Sequence, residues 1–91
     1  MAEIVKNPVT KFVDVRSVPE FRSGHILNAV NIPLDQFQHR YNEIKGLGEV
    51  PVVLYCRSGN RSGQAVTYLQ RLGFNHVYNG GAISDLQHYI N

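Results

Sequence analysis

The chain has one cysteine, Cys56, and it is followed by Arg57, Ser58, Gly59, Asn60, Arg61 and Ser62. A cysteine that only fills space in a core behaves as a small hydrophobe and has no use for such neighbours. Two cations, two hydroxyls and two residues tolerant of unusual backbone angles are what a loop needs to make a thiolate and hold it. A free thiol titrates near about 8.5, and thiols at helix N-termini beside Arg or Lys fall to roughly 3.5 to 7.5, which makes them nucleophiles at neutral pH. The N–H groups of a tight loop entering a helix can converge on such a sulfur, and the helix dipole adds about half a positive charge there. Arg57 and Arg61 would add two fixed charges. The same cradle would also hold an anionic substrate or a negatively charged sulfur attached to Cys56.

The flanking elements must place that loop. Val52 to Tyr55 is a short β-branched and aromatic run after Pro51, apolar on both faces, as in a buried central strand of a parallel sheet. From about Arg61 the pattern turns helical: Ala65, Val66, Leu69 and Leu72 form one apolar stripe, and Gly73 supplies the stop. Strand, tight loop and helix therefore follow one another, with Cys56 at the carboxyl end of the strand, where open α/β sheets bind ligands. The remaining pattern alternates in the same way. Strands are expected at Phe12 to Val15, Ala29 to Ile32 and His76 to Tyr78, with an edge strand at Glu3 to Val5. Helices are expected at Val18 to Ser23, Leu34 to Ile44, Arg61 to Leu72 and Ala82 to Tyr89, and Lys45 to Glu49 is a flexible connector. This predicts an α/β fold: a doubly wound, mainly parallel sheet of four to five strands with helices on both faces. Residues 1–91 are expected to form a single domain.

Outside the loop, structural roles dominate. Asp14 and Arg16 follow the first strand and are expected to brace loops near the active-site edge through an ion pair or backbone hydrogen bonds. Ser17, Pro19 and Glu20 have the spacing of a capping box that starts a short helix ending at Gly24. His25 follows that helix and is expected to be structural, and His39, His76 and His88 are isolated.

Several blocks together, in order from residue 12 to residue 81, resemble the single-domain rhodaneses, the sulfurtransferase family. Phe12-Val13-Asp14-Val15-Arg16 is similar to the family's opening motif, and Glu20-Phe21 through Gly24-His25-Ile26 to Asn31-Ile32-Pro33 to its second signature, with Asn28 where the family usually has glycine. Val53 to Ser62 resembles the active-site strand and loop, and Leu72-Gly73-Phe74 with Gly80-Gly81 the closing segment. The resemblance implies that Cys56 takes a sulfane sulfur from thiosulfate or a similar donor, becomes a persulfide and passes the sulfur to cyanide or a thiol. It also implies that Arg57, Ser58, Gly59, Asn60, Arg61 and Ser62 bind substrate, backbone amides cradling the persulfide and the two arginines attracting a sulfonate. It calls for no cofactor and no metal, and no His or Cys cluster stands at ligand spacing. The implied partners are a small anionic sulfur donor and a thiol or protein-thiol acceptor.

Two rival functions remain. Phosphatases of this fold separate their loop cysteine and arginine by five residues; here four intervene, a cradle too tight for a tetrahedral phosphate or arsenate. Rhodanese modules that only bind partners have often lost the cysteine, which this chain keeps with Gly59 and Arg61. Two further departures from the family concern packing: the region before Phe12 is short, so one face of the sheet is expected to be more exposed or covered by a partner subunit, and Asp85 and Leu86 stand where a tryptophan is common.

Charge and hydropathy bound the setting. With 9 Lys and Arg against 7 Asp and Glu, a net charge of +2 is too small and scattered for nucleic acid or a membrane to be the main partner. No apolar run approaches the roughly 20 residues of a membrane span, and no secretory signal is evident. The expectation is a monomer or weak dimer in the cytoplasm, or in the periplasm if a signal peptide has been removed.

Overall fold

Strands β1 (Lys11–Asp14), β2 (Val30–Asn31), β3 (Val52–Cys56) and β4 (Val77–Ala82) form one all-parallel sheet in the order β2-β1-β3-β4. The structure is a computed structural model and describes residues 1–90. The helices are α1 (Ala2–Lys6), α2 (Val18–Arg22), α3 (Leu34–Arg40), α4 (Asn60–Arg71) and α5 (Ile83–Ile90), with a 3-10 turn at Tyr41–Glu43 after α3. From β1 the chain crosses to β2 on one side, then returns past β1 to β3 and continues to β4 on the other. This reversal sets the carboxyl ends of β1 and β3 side by side, and such switch points are where open α/β sheets form binding crevices.

The sheet is covered on both faces, and β3 shows why its sequence is apolar throughout. Side chains alternate along a strand. Val52, Leu54 and Cys56 enter a core with Val13, Val15, Ile32, Phe37, Ala65 and Leu69, on the side of α3 and α4. Val53 and Tyr55 enter a second core with Val5, Ile26 and Leu86, on the side of α1 and α5. All five β3 residues are buried.

The N-terminal region departs from expectation. Glu3 to Val5 lies inside helix α1 rather than in an edge strand, and α1 packs on α5. In a strand Ile4 and Val5 would point to opposite faces, whereas on a helix they stand about 100° apart and both reach the second core. Thr10 Oγ1 donates to the Ile4 carbonyl at 2.6 Å and ties the helix to the start of β1. The face expected to be more exposed or covered by a partner subunit is thus packed in part by this chain's own N-terminal helix. Leu86, in the segment after the double glycine, is fully buried.

The ends of other elements differ too. Helix α3 stops at Arg40 and tightens into the 3-10 turn instead of running to Ile44, and β2 is reduced to two residues. β4 runs on through Gly80 and Gly81 with an irregular register: Leu54 faces Asn79 and Tyr55 faces Gly81, so Gly80 is the extra residue of a bulge. Only glycine fits there, because a Cβ would lie 2.7 Å from Val53 Cγ1 and 2.9 Å from Leu86 Cδ1.

Candidate active site

Cys56 ends β3 with no exposed surface. The chain then turns through Arg57 and Ser58 to Gly59, which takes φ +94° as the N-cap of α4. A side chain at Gly59 would be strained by that angle and its Cβ would sit 3.2 Å from Gly81 Cα. The turn carries the Gly59 N–H back onto the Cys56 sulfur at 2.9 Å. Ser62, in the first turn of α4 and also buried, places its Oγ 3.4 Å from the same sulfur.

Two opposing effects set the ionisation of this thiol. Burial pushes it up, and hydrogen bonding from the Ser62 hydroxyl and from the backbone N–H groups of Ser62, Ser58 and Gly59 outweighs burial, bringing it from 9.0 down to about 7. The shift raises the thiolate share at neutral pH well above that of a free thiol. The Ser62 hydroxyl contributes most to the lowering, and the converging loop amides expected from the sequence follow it.

The arginines occupy different places. Arg57 is exposed, as are Ser58 and Asn60. Arg61 turns to α2, where its two terminal nitrogens meet Glu20 Oε1 and Oε2 at 2.8 and 3.0 Å. Glu20 is also the third residue of the capping box: Ser17 N–H donates to it at 3.1 Å, and its own N–H reaches Ser17 Oγ. Hydrogen bonding from Arg61, then from the Ser17 N–H, holds the Glu20 carboxyl at about 2. Arg61 also forms one wall of a depression of about 440 Å³ lined by Val15, Ser17, Pro33, Leu34 and Asp35.

Behind the loop, Asp14 and Arg16 form a buried ion pair. Arg16 Nη2 lies 2.6 Å from Asp14 Oδ2, its Nε lies 3.0 Å from both carboxylate oxygens, and its backbone N–H donates to Oδ1. Arg16 also donates to the Gly24 carbonyl, and Asn31 Nδ2 donates to the carbonyls of Asp14 and Arg16. The end of β1 is thereby fixed beside the end of β3. Asn28 takes φ +69°, a left-handed angle that asparagine tolerates better than most residues with a side chain. His25 stacks on Phe21 and its Nδ1 lies 2.8 Å from the Phe21 carbonyl, so its ring is engaged within the α2 segment.

Sequence reasoning missed Asn79. From β4 it donates through Nδ2 to the Gly59 carbonyl at 3.0 Å, accepts from Ser62 Oγ at 2.6 Å and accepts from the Gly81 N–H at 2.9 Å. It joins both ends of the loop to the bulged strand. The available signal was an amide residue directly before Gly80-Gly81 at the end of a strand, next to the cysteine strand. Among the described residues no three His, Cys, Asp or Glu side chains gather as a metal-binding group, and no helix is long and apolar enough to cross a membrane.

The chain is similar to known proteins. The chain is 46% identical over 69 residues to the uncharacterized protein YqhL of Bacillus subtilis, covering 76% of this chain and 53% of that protein, so it spans about half the length of that relative. It is 33% identical over 75 residues to the thiosulfate sulfurtransferase PspE of Escherichia coli, covering 82% of this chain and 72% of PspE. The structure of a rhodanese with anions from E. coli superposes with a TM-score of 0.74 at 36% identity, covering 85% of this chain and 91% of the other. The family model of the rhodanese-like domain matches residues 1–82. With a parallel sheet ending in a cysteine loop that folds back onto its own sulfur, the chain belongs to the rhodanese-like domain family.

Proposed function

We propose that this protein is a sulfurtransferase in which Cys56 carries the sulfur. The Cys56 thiolate attacks the outer sulfur of thiosulfate; a new S–S bond forms, the bond to the sulfonate sulfur breaks, and sulfite leaves with that bonding pair. The persulfide anion, Cys56–S–S⁻, then gives its outer sulfur to cyanide or to a thiolate acceptor, and Cys56 recovers its electron pair as thiolate. One nucleophile alternates between two substrates, so the kinetics are ping-pong.

The observation that carries this reading is the Gly59 N–H bonded to the Cys56 sulfur within a loop whose Ser62 hydroxyl and backbone amides lower the thiol to about 7. A donor held there stabilises a sulfur anion before and after transfer. In this reading the backbone amides from Arg57 to Arg61 cradle the outer sulfur, with Ser58, Asn60 and Ser62 at the rim and wall of the cradle. Arg57, exposed and in no ion pair among the described residues, attracts the sulfonate from solution, while Arg61 presents a charge already shared with Glu20. Asp14 and Arg16 hold the adjoining strand end in place. We place the reaction in the cytoplasm, with the protein a monomer or weak dimer and a small thiol or protein thiol as the acceptor.

Intact-mass measurement after incubation with thiosulfate tests the reading. The protein gains one sulfur atom, about 32 Da, which cyanide or dithiothreitol removes and which the Cys56→Ser variant never acquires. No adduct with thiosulfate, mercaptopyruvate or polysulfide refutes sulfur transfer and leaves partner binding or phosphatase chemistry to be assayed.

A further inference from the structure

Ser62 Oγ carries a single proton and has two claimants for it, the Cys56 sulfur at 3.4 Å and Asn79 Oδ1 at 2.6 Å. The orientation of the Asn79 amide is set by the backbone. Its Oδ1 accepts the Gly81 N–H and its Nδ2 donates to the Gly59 carbonyl; turned over, the amide would face donor with donor and acceptor with acceptor. Asn79 Oδ1 has no proton to give, so in the 2.6 Å contact Ser62 is the donor. The hydroxyl then offers the sulfur only lone pairs, which suit an S–H and not an S⁻.

We propose that Asn79 is a positioning residue that competes with the Cys56 sulfur for the one Ser62 hydroxyl proton and releases it when the sulfur carries negative charge. In the thiol state the chain of donors runs from Cys56 S–H to Ser62 O–H to Asn79. On ionisation the Ser62 O–H rotates onto the sulfur and joins the Gly59 N–H, while the Gly81 N–H stays on Asn79 Oδ1 and keeps the amide in place. Asn79 thereby holds the resting thiol against ionisation. The proposal deepens the sulfurtransferase reading by naming a residue that tunes its nucleophile, and its readout is the ionisation of Cys56 itself, so sulfur transfer can fail while the proposal stands, and the reverse.

The experiment compares the full chain with Asn79→Ala, Ser62→Ala and the double variant, each checked for fold by circular dichroism. The rate of Cys56 alkylation by iodoacetamide is followed by intact mass as a function of pH. The charged groups around the site are the same in all four proteins: Asp14 and Arg16 at the end of β1, Glu20 on α2, Arg57 and Arg61 in the loop, and Asp85 on α5 near Gly81. With Asn79→Ala the hydroxyl is free for the sulfur, so the midpoint moves down and alkylation at about pH 6 quickens by ~threefold, the equivalent of half a pH unit. Ser62→Ala moves the midpoint up, and adding Asn79→Ala to it changes nothing further. An Asn79 that merely braces the loop gives the opposite sign: its loss loosens the Gly59 N–H and raises the midpoint in both backgrounds, which overturns the proposal. If Asn79→Ala does not fold, Asn79→Asp serves, since a carboxylate grips the Ser62 proton harder. It slows alkylation at about pH 6, and at least ~threefold of that slowing disappears when Ser62 is alanine. Equal slowing in both backgrounds means plain charge repulsion and also overturns the proposal.

Discussion

Replacing Glu20 by Gln keeps the shape of the side chain and its place in the capping box, where glutamine also serves, while removing the charge that Arg61 meets. The carboxyl is held at about 2 against an ordinary 4.5, which at about 1.4 kcal/mol per unit sets a ceiling of roughly 3.5 kcal/mol on the differential stabilisation. The side chains of Arg61 and Glu20 are 34% and 30% exposed, and water screens much of that, leaving about 1 kcal/mol. For 91 residues a loss of that size lowers Tm by about 5 °C. Because the folded-state value is depressed, the stabilisation is fully present above about pH 4.5 and is lost as pH falls through about 2. Thermal melts of both proteins at neutral pH and near pH 3 read this directly: the variant melts about 5 °C lower at neutral pH, and the gap shrinks to less than half near pH 3. Equal melting at neutral pH, or a gap that does not narrow with acid, refutes the reasoning. The same variant frees the Arg61 charge, so under the proposed mechanism its KM for thiosulfate falls.

Asp14→Asn leaves the Arg16 guanidinium buried without its counter-charge and costs about 3 to 5 kcal/mol in urea unfolding; a loss below about 1 kcal/mol would show that the pair adds little to holding the strand end. Gly80→Ala drives a methyl into Val53 and Leu86 and destabilises by about 1 to 3 kcal/mol in the same assay, and an unchanged midpoint would mean that the bulge relaxes without strain.

Much of this fold is written in local pattern. The apolar run Val52 to Tyr55 and the stripe Ala65, Val66, Leu69 fix strand, loop and helix around Cys56 because each pattern has only one way to bury its face. Ser17 and Glu20 mark the start of α2 for the same kind of reason, a hydrogen-bond exchange within four residues. Contacts between distant segments have no such signature. Glu20 meets Arg61 across 41 positions and Asn79 meets Gly59 across 20, and neither spacing carries a local pattern. Helix α1 was illegible because Ile4 and Val5 have the β-branched composition of a strand, and a five-residue helix owes its existence to the surface on which it packs. The candidate site follows the same division: the loop around Cys56 is marked by its neighbours in the chain, while Asn79, which ties that loop to β4, is not.

Gly80 carries a consequence for anyone altering this protein. The glycine lets β4 lie close to Val53 and Leu86 on one side of the sheet, and the irregularity it creates sits between Asn79 and Gly81, which flank the loop that follows Cys56. Enlarging or shrinking Leu86 to improve the hydrophobic interior therefore shifts the anchor of the cysteine loop as well. Stability engineering in that layer also perturbs the surroundings of Cys56, and libraries that vary one should be screened for the other.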